Sequence, residues 1–181
     1  MSTIPPPERE RKWKCKVVIR LRSMLSLNQD HFFMQKALDQ ARIAFEKGEV
    51  PVGAVLVLKE DILAFAHNQV ESLFDTTAHA EILALRSAGR KRKNWRLKGA
   101  SLYVTLEPCP MCMGAILLAR LSRLVWAVTD PRMGGTHYSW AEACSWATPP
   151  EVRGGVLREE SLRLLQSFFA LQRLRKPHSF S

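Results

Sequence analysis

The sequence predicts an α/β layered fold, on three observations. Short β-branched runs alternate with segments whose apolar residues recur at helical spacing. Two of the strand-like runs flank one helix, the pattern of a parallel crossover. The chain has 181 residues, 46% hydrophobic and 24% charged, enough for one domain with a core of its own. It contains no internal repeat.

Residues 1–27 read as a basic, flexible N-terminal extension. Pro5 to Pro7 open it, and Arg and Lys dominate through Arg22. No apolar stretch precedes a small-residue cleavage site, so a secretory signal is not expected. A basic organelle transit peptide would look similar, but Glu8 and Glu10 count against it. Met24 suits an alternative start. The extension could also serve as an RNA-binding arm.

The domain is expected over 28–176. Asn28 or Asp30 caps a first helix. Phe33, Met34, Ala37, Leu38, Ala41, Ala44 and Phe45 form its apolar stripe, and Gly48 ends it. Val52 to Leu58 and Ile62 to Ala66 are strands joined by a turn at Lys59-Glu60-Asp61. A loop follows from Asn68 to Thr77. A helix then starts at His79 and runs to about Ser87. Ser101 to Leu106 is a strand, and Pro108 opens a helix that runs to about Ala119. Arg123 to Val128 is a further strand, parallel to the previous one because a helix joins them. Residues 130–150 are loop-like. A short strand is expected near Val152 to Leu157, then a long amphipathic helix over Glu159 to Arg175. Residues 177–181 form a tail.

No apolar run reaches the length needed to cross a bilayer, so no membrane partner is expected. Four cysteines are too few for a disulfide scaffold. A Cys-x-x-Cys pair in a reducing compartment reads as metal or redox chemistry. A cytoplasmic location is expected, with organelle targeting by the basic N-terminus the alternative. The net charge of +10 favours polyanionic partners. Six of the nine residues from Arg90 to Lys98 are cationic, with Trp95 among them. Such a run is usually a solvated face, but it also suits phosphate contact beside base stacking.

The chemistry concentrates in His79-Ala80-Glu81 and Pro108-Cys109-Pro110-Met111-Cys112. Cys109 and Cys112 sit three residues apart at the start of a helix, so both sulfurs share one face. The helix dipole there favours thiolate, the form that binds metal. With His79 they supply three ligands and leave the fourth zinc position for water, whose pKa zinc lowers to about 7. Glu81 need not be a ligand. From the first turn of its helix it can take a proton from that water and pass it to a substrate. Two plainer readings compete: a dithiol of the thioredoxin type, and a structural zinc site completed by Cys144 or His137. Cys15 and Cys144 read as plain thiols, and His67 as a local hydrogen-bonding residue.

His-x-Glu followed by Pro-Cys-x-x-Cys is the signature of zinc deaminases that act on nucleobases. The chain resembles the cytidine deaminase-like superfamily and, within it, the bacterial-type tRNA-specific adenosine deaminases. The stretches that carry the resemblance are Glu49-Val50-Pro51-Val52-Gly53-Ala54-Val55, Thr77 to Ile82, Leu102 to Ala115, Asp130 and Leu164 to Phe169. It spans roughly residues 30–175. It implies a three-layer αβα fold with a mixed five-stranded sheet, a homodimer, and conversion of a wobble adenosine in a tRNA anticodon to inosine with release of ammonia. It assigns one zinc ion to His79, Cys109 and Cys112, and the proton shuttle to Glu81. It places Asn68, Pro51, Val52, Ala80, Asp130 and Phe168 in substrate binding. Asn68 can read donor and acceptor edges of a purine. Asp130 can accept from a ribose 2′-OH. Two departures stand out: Thr76 where the family has proline, and a bulky Asp130–Ser139 loop. The rival readings are a guanine or other free-base or nucleoside deaminase, and a catalytically silent partner subunit that holds zinc and RNA. The charge and Asp130 favour RNA, and an intact Glu81 argues against the silent subunit.

Overall fold

The computed structural model describes residues 8–138, 140 and 147–175, with side chains from Leu27 to Leu174. Helix α1 (Glu8–Glu46) precedes the hairpin β1 (Gly53–Leu58) and β2 (Asp61–His67). A short α2 (Val70–Leu73) and α3 (Ala80–Arg92) lead to β3 (Ala100–Leu106), α4 (Pro110–Leu118) and β4 (Arg123–Val128). The chain continues through β5 (Glu151–Arg153) to α5 (Arg158–Arg175). The strand order is β2-β1-β3-β4-β5. β1 runs antiparallel to both neighbours, while β3, β4 and β5 are parallel. This is the expected mixed five-stranded sheet.

The period of two along each strand distributes the core over two faces. Leu56, Leu102, Val104, Leu124 and Trp126 pack toward α3 and α4. Val55, Val57, Tyr103, Val125 and Ala127 pack toward α1, with Phe33, Met34 and Ala37. On that side α5 closes over α1 through Phe45 and Phe168, and the Ser161 hydroxyl donates to the Thr105 carbonyl at 2.7 Å. Three layers result. Burial on both faces explains why β1, β3 and β4 are nearly continuous apolar runs.

Several boundaries differ from expectation. Neither Asn28 nor Asp30 caps α1, which begins at Glu8. Between Glu8 and Glu46 there is no proline or glycine to stop it. From Glu8 on, the extension expected to be flexible is therefore helical backbone continuous with the first helix of the domain. Residues 1–7 and the tail from 176 lie outside the described residues, as do Cys144 and the Cys15 side chain. α3 passes Ser87 and ends at Arg92, with Lys93 in the left-handed conformation as its cap. The loop over 68–77 contains α2. β5 stops at Arg153, before Gly154-Gly155. No helix among the described residues is long and apolar enough to cross a membrane.

Asp30 is 1% exposed and joins four elements. It accepts from the Arg123 guanidinium at 2.5 and 3.0 Å, from Arg153 at 2.6 Å and from the Tyr103 hydroxyl at 3.0 Å. Burial pushes its pKa up, but Arg123, Tyr103 and Arg153 outweigh burial and hold it below the ordinary carboxylate value. This cluster pins α1 to β3, β4 and β5.

At Gly53, the start of β1, the backbone of α1 lies close against the strand. A Cβ there would lie 2.0 Å from the Ala37 carbonyl oxygen and 2.4 Å from the Ala41 nitrogen, both backbone. Neither can move without shifting the helix. Gly53→Ala is expected to destabilise the fold by about 3 kcal/mol, read as a lower denaturation midpoint at unchanged m-value.

Candidate metal centre and active cleft

The residues of the two short motifs meet because two helices begin at the same place. His79 is the N-cap of α3 and Cys109 the N-cap of α4, both in extended backbone conformation. Pro110 occupies the first turn of α4, where its missing N–H costs no bond. Cys112 lies one turn on, buried. His79 Nδ1 stands 3.7 Å from Cys109 Sγ and 3.5 Å from Cys112 Sγ. Tetrahedral zinc with ordinary Zn–N and Zn–S bonds sets a nitrogen-to-sulfur spacing of about 3.6 Å. The three ligand atoms all lie within 4.8 Å of one another. A soft sulfur pair with one imidazole is the donor set that zinc takes, so these residues could hold it.

The electrostatics agree. The Cys109 thiol is pulled down to about 4, chiefly by its hydrogen bond with Cys112, with His79 adding to the effect. The same bond, together with burial, pushes Cys112 up. The bond with Cys109 raises the His79 pKa. Among the described residues no fourth protein ligand joins the group. His137, the described candidate for one, sits instead with Nδ1 3.7 Å from Glu107 Oε1. Three protein ligands with the fourth position left to water is the arrangement of a catalytic zinc site, four that of a structural one.

Glu81 lies two residues beyond His79, in the first turn of α3. It is 3% exposed, and its Oε2 has no hydrogen-bond partner among the described residues. Burial raises its pKa above the ordinary value. A buried carboxylate oxygen without a partner is costly unless it has a task.

A cleft of about 340 Å³ opens over the trio, a size common for small-ligand sites. Val52, Asn68, His79, Glu81, Cys109 and Asp130 all line it. Of the other residues assigned to substrate binding, Ala80 is fully buried in the core between sheet and α3. Pro51 is buried, and its neighbours Val50 and Val52 form the wall. Phe168 does not reach the cleft: it is 6% exposed and packs edge-on against Phe45 at 5.9 Å. Its position on the α1-facing side of α5 makes it a core residue, while Phe169 beside it is 42% exposed. His67 is a local residue, as expected, with Nε2 3.1 Å from Lys47 Nζ.

Two buried glutamates shape the cleft and were not singled out from the sequence. Glu49 accepts from Asn68 Nδ2 at 3.2 Å and from the backbone N–H groups of Glu71 and Ser72 at 3.2 and 2.7 Å. It thereby fixes the Asn68 amide and holds α2 at the rim. Glu107 accepts from the N–H groups of Asp130 and Thr136 at 3.1 and 3.2 Å, and from the Thr136 hydroxyl. It folds the 130–136 loop over the cleft. A Cβ on Gly134 would lie 2.5 Å from Glu107 Cδ, so that approach requires glycine. Asp130 Oδ1 accepts from the N–H groups of Arg132 and Met133, which orients its carboxylate at the rim. Both glutamates lie inside the stretches that carry the resemblance. No spacing rule distinguishes a buried acid from a surface one.

The model of the cytidine and deoxycytidylate deaminase zinc-binding region matches residues 27–128. The chain is 44% identical over 152 residues to the tRNA-specific adenosine deaminase of Bacillus subtilis, covering 83% of this chain and 94% of that protein. It is 44% identical over 146 residues to the tRNA-specific adenosine deaminase of Agrobacterium fabrum, covering 78% and 95%. In three dimensions it is similar to a structure from work on A-to-I editing by tRNA:A34 deaminases. That pair is 43% identical with a TM-score of 0.70, over 74% of this chain and 99% of the other. Similarity extends to the guanine deaminase of Bacillus subtilis, 36% identical with a TM-score of 0.52 over 62% and 68% of the two chains. With its zinc-ligand trio at two converging helix starts, this chain belongs to the zinc-binding cytidine and deoxycytidylate deaminase family, in the branch of the tRNA-specific adenosine deaminases.

Proposed function

We propose that the protein hydrolytically deaminates adenosine to inosine at the wobble position of a tRNA anticodon. The observation that carries the reading is the buried Glu81 carboxylate, whose Oε2 has no hydrogen-bond partner among the described residues, lining one cleft with the trio and with Asn68. When bound by His79, Cys109 and Cys112, one zinc ion supplies Lewis-acid activation of a water molecule. Glu81 takes a proton from the attacking water and delivers it to adenine N1, then returns a proton to the departing amine. Water oxygen becomes bonded to C6, the C6–N6 bond breaks, and ammonia leaves. The raised pKa of Glu81 suits a group that must both accept and donate near neutrality.

Asn68, held by Glu49, reads the base edge, with Val52 as apolar wall. Asp130 at the rim meets the ribose of a neighbouring nucleotide. Glu49→Gln replaces one of two accepting oxygens by an NH2 donor, which then faces either the Ser72 N–H or those of Asn68 and Glu71. It is expected to raise KM for an anticodon stem-loop about tenfold while zinc content is unchanged. Steady-state kinetics with metal analysis checks both.

An apolar groove of about 490 Å³ between α3 and α4, lined by Leu85, Trp95, Leu97, Ala115 and Leu118, supports the homodimer reading. Leu118 and Trp95 are exposed there, on the helix that carries the cysteines and just beyond the one that carries Glu81. The reduced Cys-x-x-Cys chemistry fits the cytoplasm.

Guanine deamination is the second reading, favoured by the likeness to the Bacillus subtilis guanine deaminase. Purified protein is given an anticodon stem-loop and free guanine in parallel. Inosine in the stem-loop with guanine untouched is the expected result. Guanine turnover with an untouched stem-loop would overturn the assignment.

A further inference from the structure

A second cavity, of about 470 Å³, lies at the other end of the sheet. Arg96, Lys98, Arg120, Ser122, Thr148 and Pro149 line it. These residues come from three separate connections, those entering β3, β4 and β5. The active cleft lies beyond the opposite ends of β3 and β4. Seven residues of β3, at a rise of about 3.3 Å each, put roughly 20 Å between the two.

None of the described lining residues is acidic. Glu151, which begins β5 nearby, is engaged by Arg123 at 3.3 Å. Arg120 directly follows Ala119, the C-cap of α4, and its charge suits that helix end, whereas Arg96 and Lys98 have no such role. Arg90, Lys91 and Arg92 lie in the last turn of α3, where the dipole favours positive charge. Arg96 and Lys98 lie beyond it, in a connection that could carry any polar residue. The Arg96 guanidinium stacks on the Trp95 ring at 3.9 Å. Stacking occupies its face and leaves the in-plane N–H edge available in a fixed orientation, the geometry that suits phosphate. Lys98 is exposed and adds a point charge. Neither Arg96 nor Lys98 forms an ion pair with a described residue.

We propose that this cavity is a second anchoring site for phosphates of the RNA backbone, about 20 Å from the deaminated nucleotide. The inference rests on the tRNA reading above and extends it to a part of the RNA that the cleft does not touch. Phosphate is the shared chemistry, and a free phosphate ion is the other source that the same donors would accept.

The test measures binding of full-length tRNA by the whole chain across a salt series, for wild type and for the Arg96→Gln, Lys98→Gln double variant. The expected result is a Kd about tenfold weaker and a slope of log Kd against log salt shallower by about 1–2. The kcat at saturating RNA is retained, which also shows that the variant is folded. If the double variant does not fold, Lys98→Gln alone carries the test, with a slope change of about 1. Unchanged Kd and slope would overturn the inference. So would a response to inorganic phosphate that the variant loses while its tRNA Kd stays the same. Inosine formation with unaltered tRNA affinity would defeat this inference alone. Affinity that depends on these residues without inosine formation would defeat the deaminase reading alone.

Discussion

Replacing Glu81 by glutamine is expected to lower deamination by about 10²–10⁴-fold, while one zinc per chain remains. Glutamine keeps the volume of the side chain, so no cavity opens next to His79. It cannot take a proton from water or return one to an amine. Stability is not expected to fall, because Glu81 is 3% exposed and a neutral amide is cheaper to bury than an ionised carboxylate. Loss of rate with an unchanged Tm and full zinc content would separate the proton shuttle from any structural role. Wild-type turnover in Glu81→Gln would sink the mechanism.

A large loss of stability is expected at Asp30→Ala. The substitution removes the acceptor for Arg123, Arg153 and Tyr103 together and leaves their donors facing a void. Arg123 keeps some solvent contact, which places the cost at the lower end for a broken buried pair, about 3 kcal/mol. For a chain of this size that corresponds to a Tm lower by roughly 10 °C. The same cluster predicts a pH dependence. The folded pKa of Asp30 lies below its unfolded value, so its contribution is complete above the unfolded value near 4. It is lost as pH falls through the depressed folded value. Denaturation midpoints of wild type and Asp30→Ala should therefore converge below about pH 4 and stay apart above pH 5. A constant difference down to pH 3 would show that Asp30 acts by packing rather than by charge.

The metal trio was legible in the sequence because each half of it is local. Cys109 and Cys112 share a helix face by spacing alone, and His79 and Glu81 share a first turn. Strand alternation and the β3-α4-β4 crossover were legible for the same reason: both are short-range patterns. What the sequence hid was long-range polar pairing. Asp30 sits where a helix cap could stand, and only its approach to Arg123 and Arg153 across the sheet shows it to be a buried hub. Glu49 and Glu107 look like ordinary acids until the backbone N–H groups of α2 and of the 130–136 loop are seen to point at them. Phe168 and Phe169 are adjacent on an amphipathic helix, and periodicity alone does not decide which one faces α1. The basic stretch from Arg90 to Lys98 divided in the same way. One part sits at the end of α3, and the other joins Arg120 in a cavity that no linear pattern marks.

Mapping inosine in a full-length tRNA pool after incubation with the zinc-loaded protein tests the central claim most directly. The expected result is inosine at the first anticodon position of tRNAs that carry adenosine there, with one ammonia released per inosine. The signal should disappear with a chelator and return when zinc is restored. A zinc-replete protein that leaves every wobble adenosine intact would contradict the assignment.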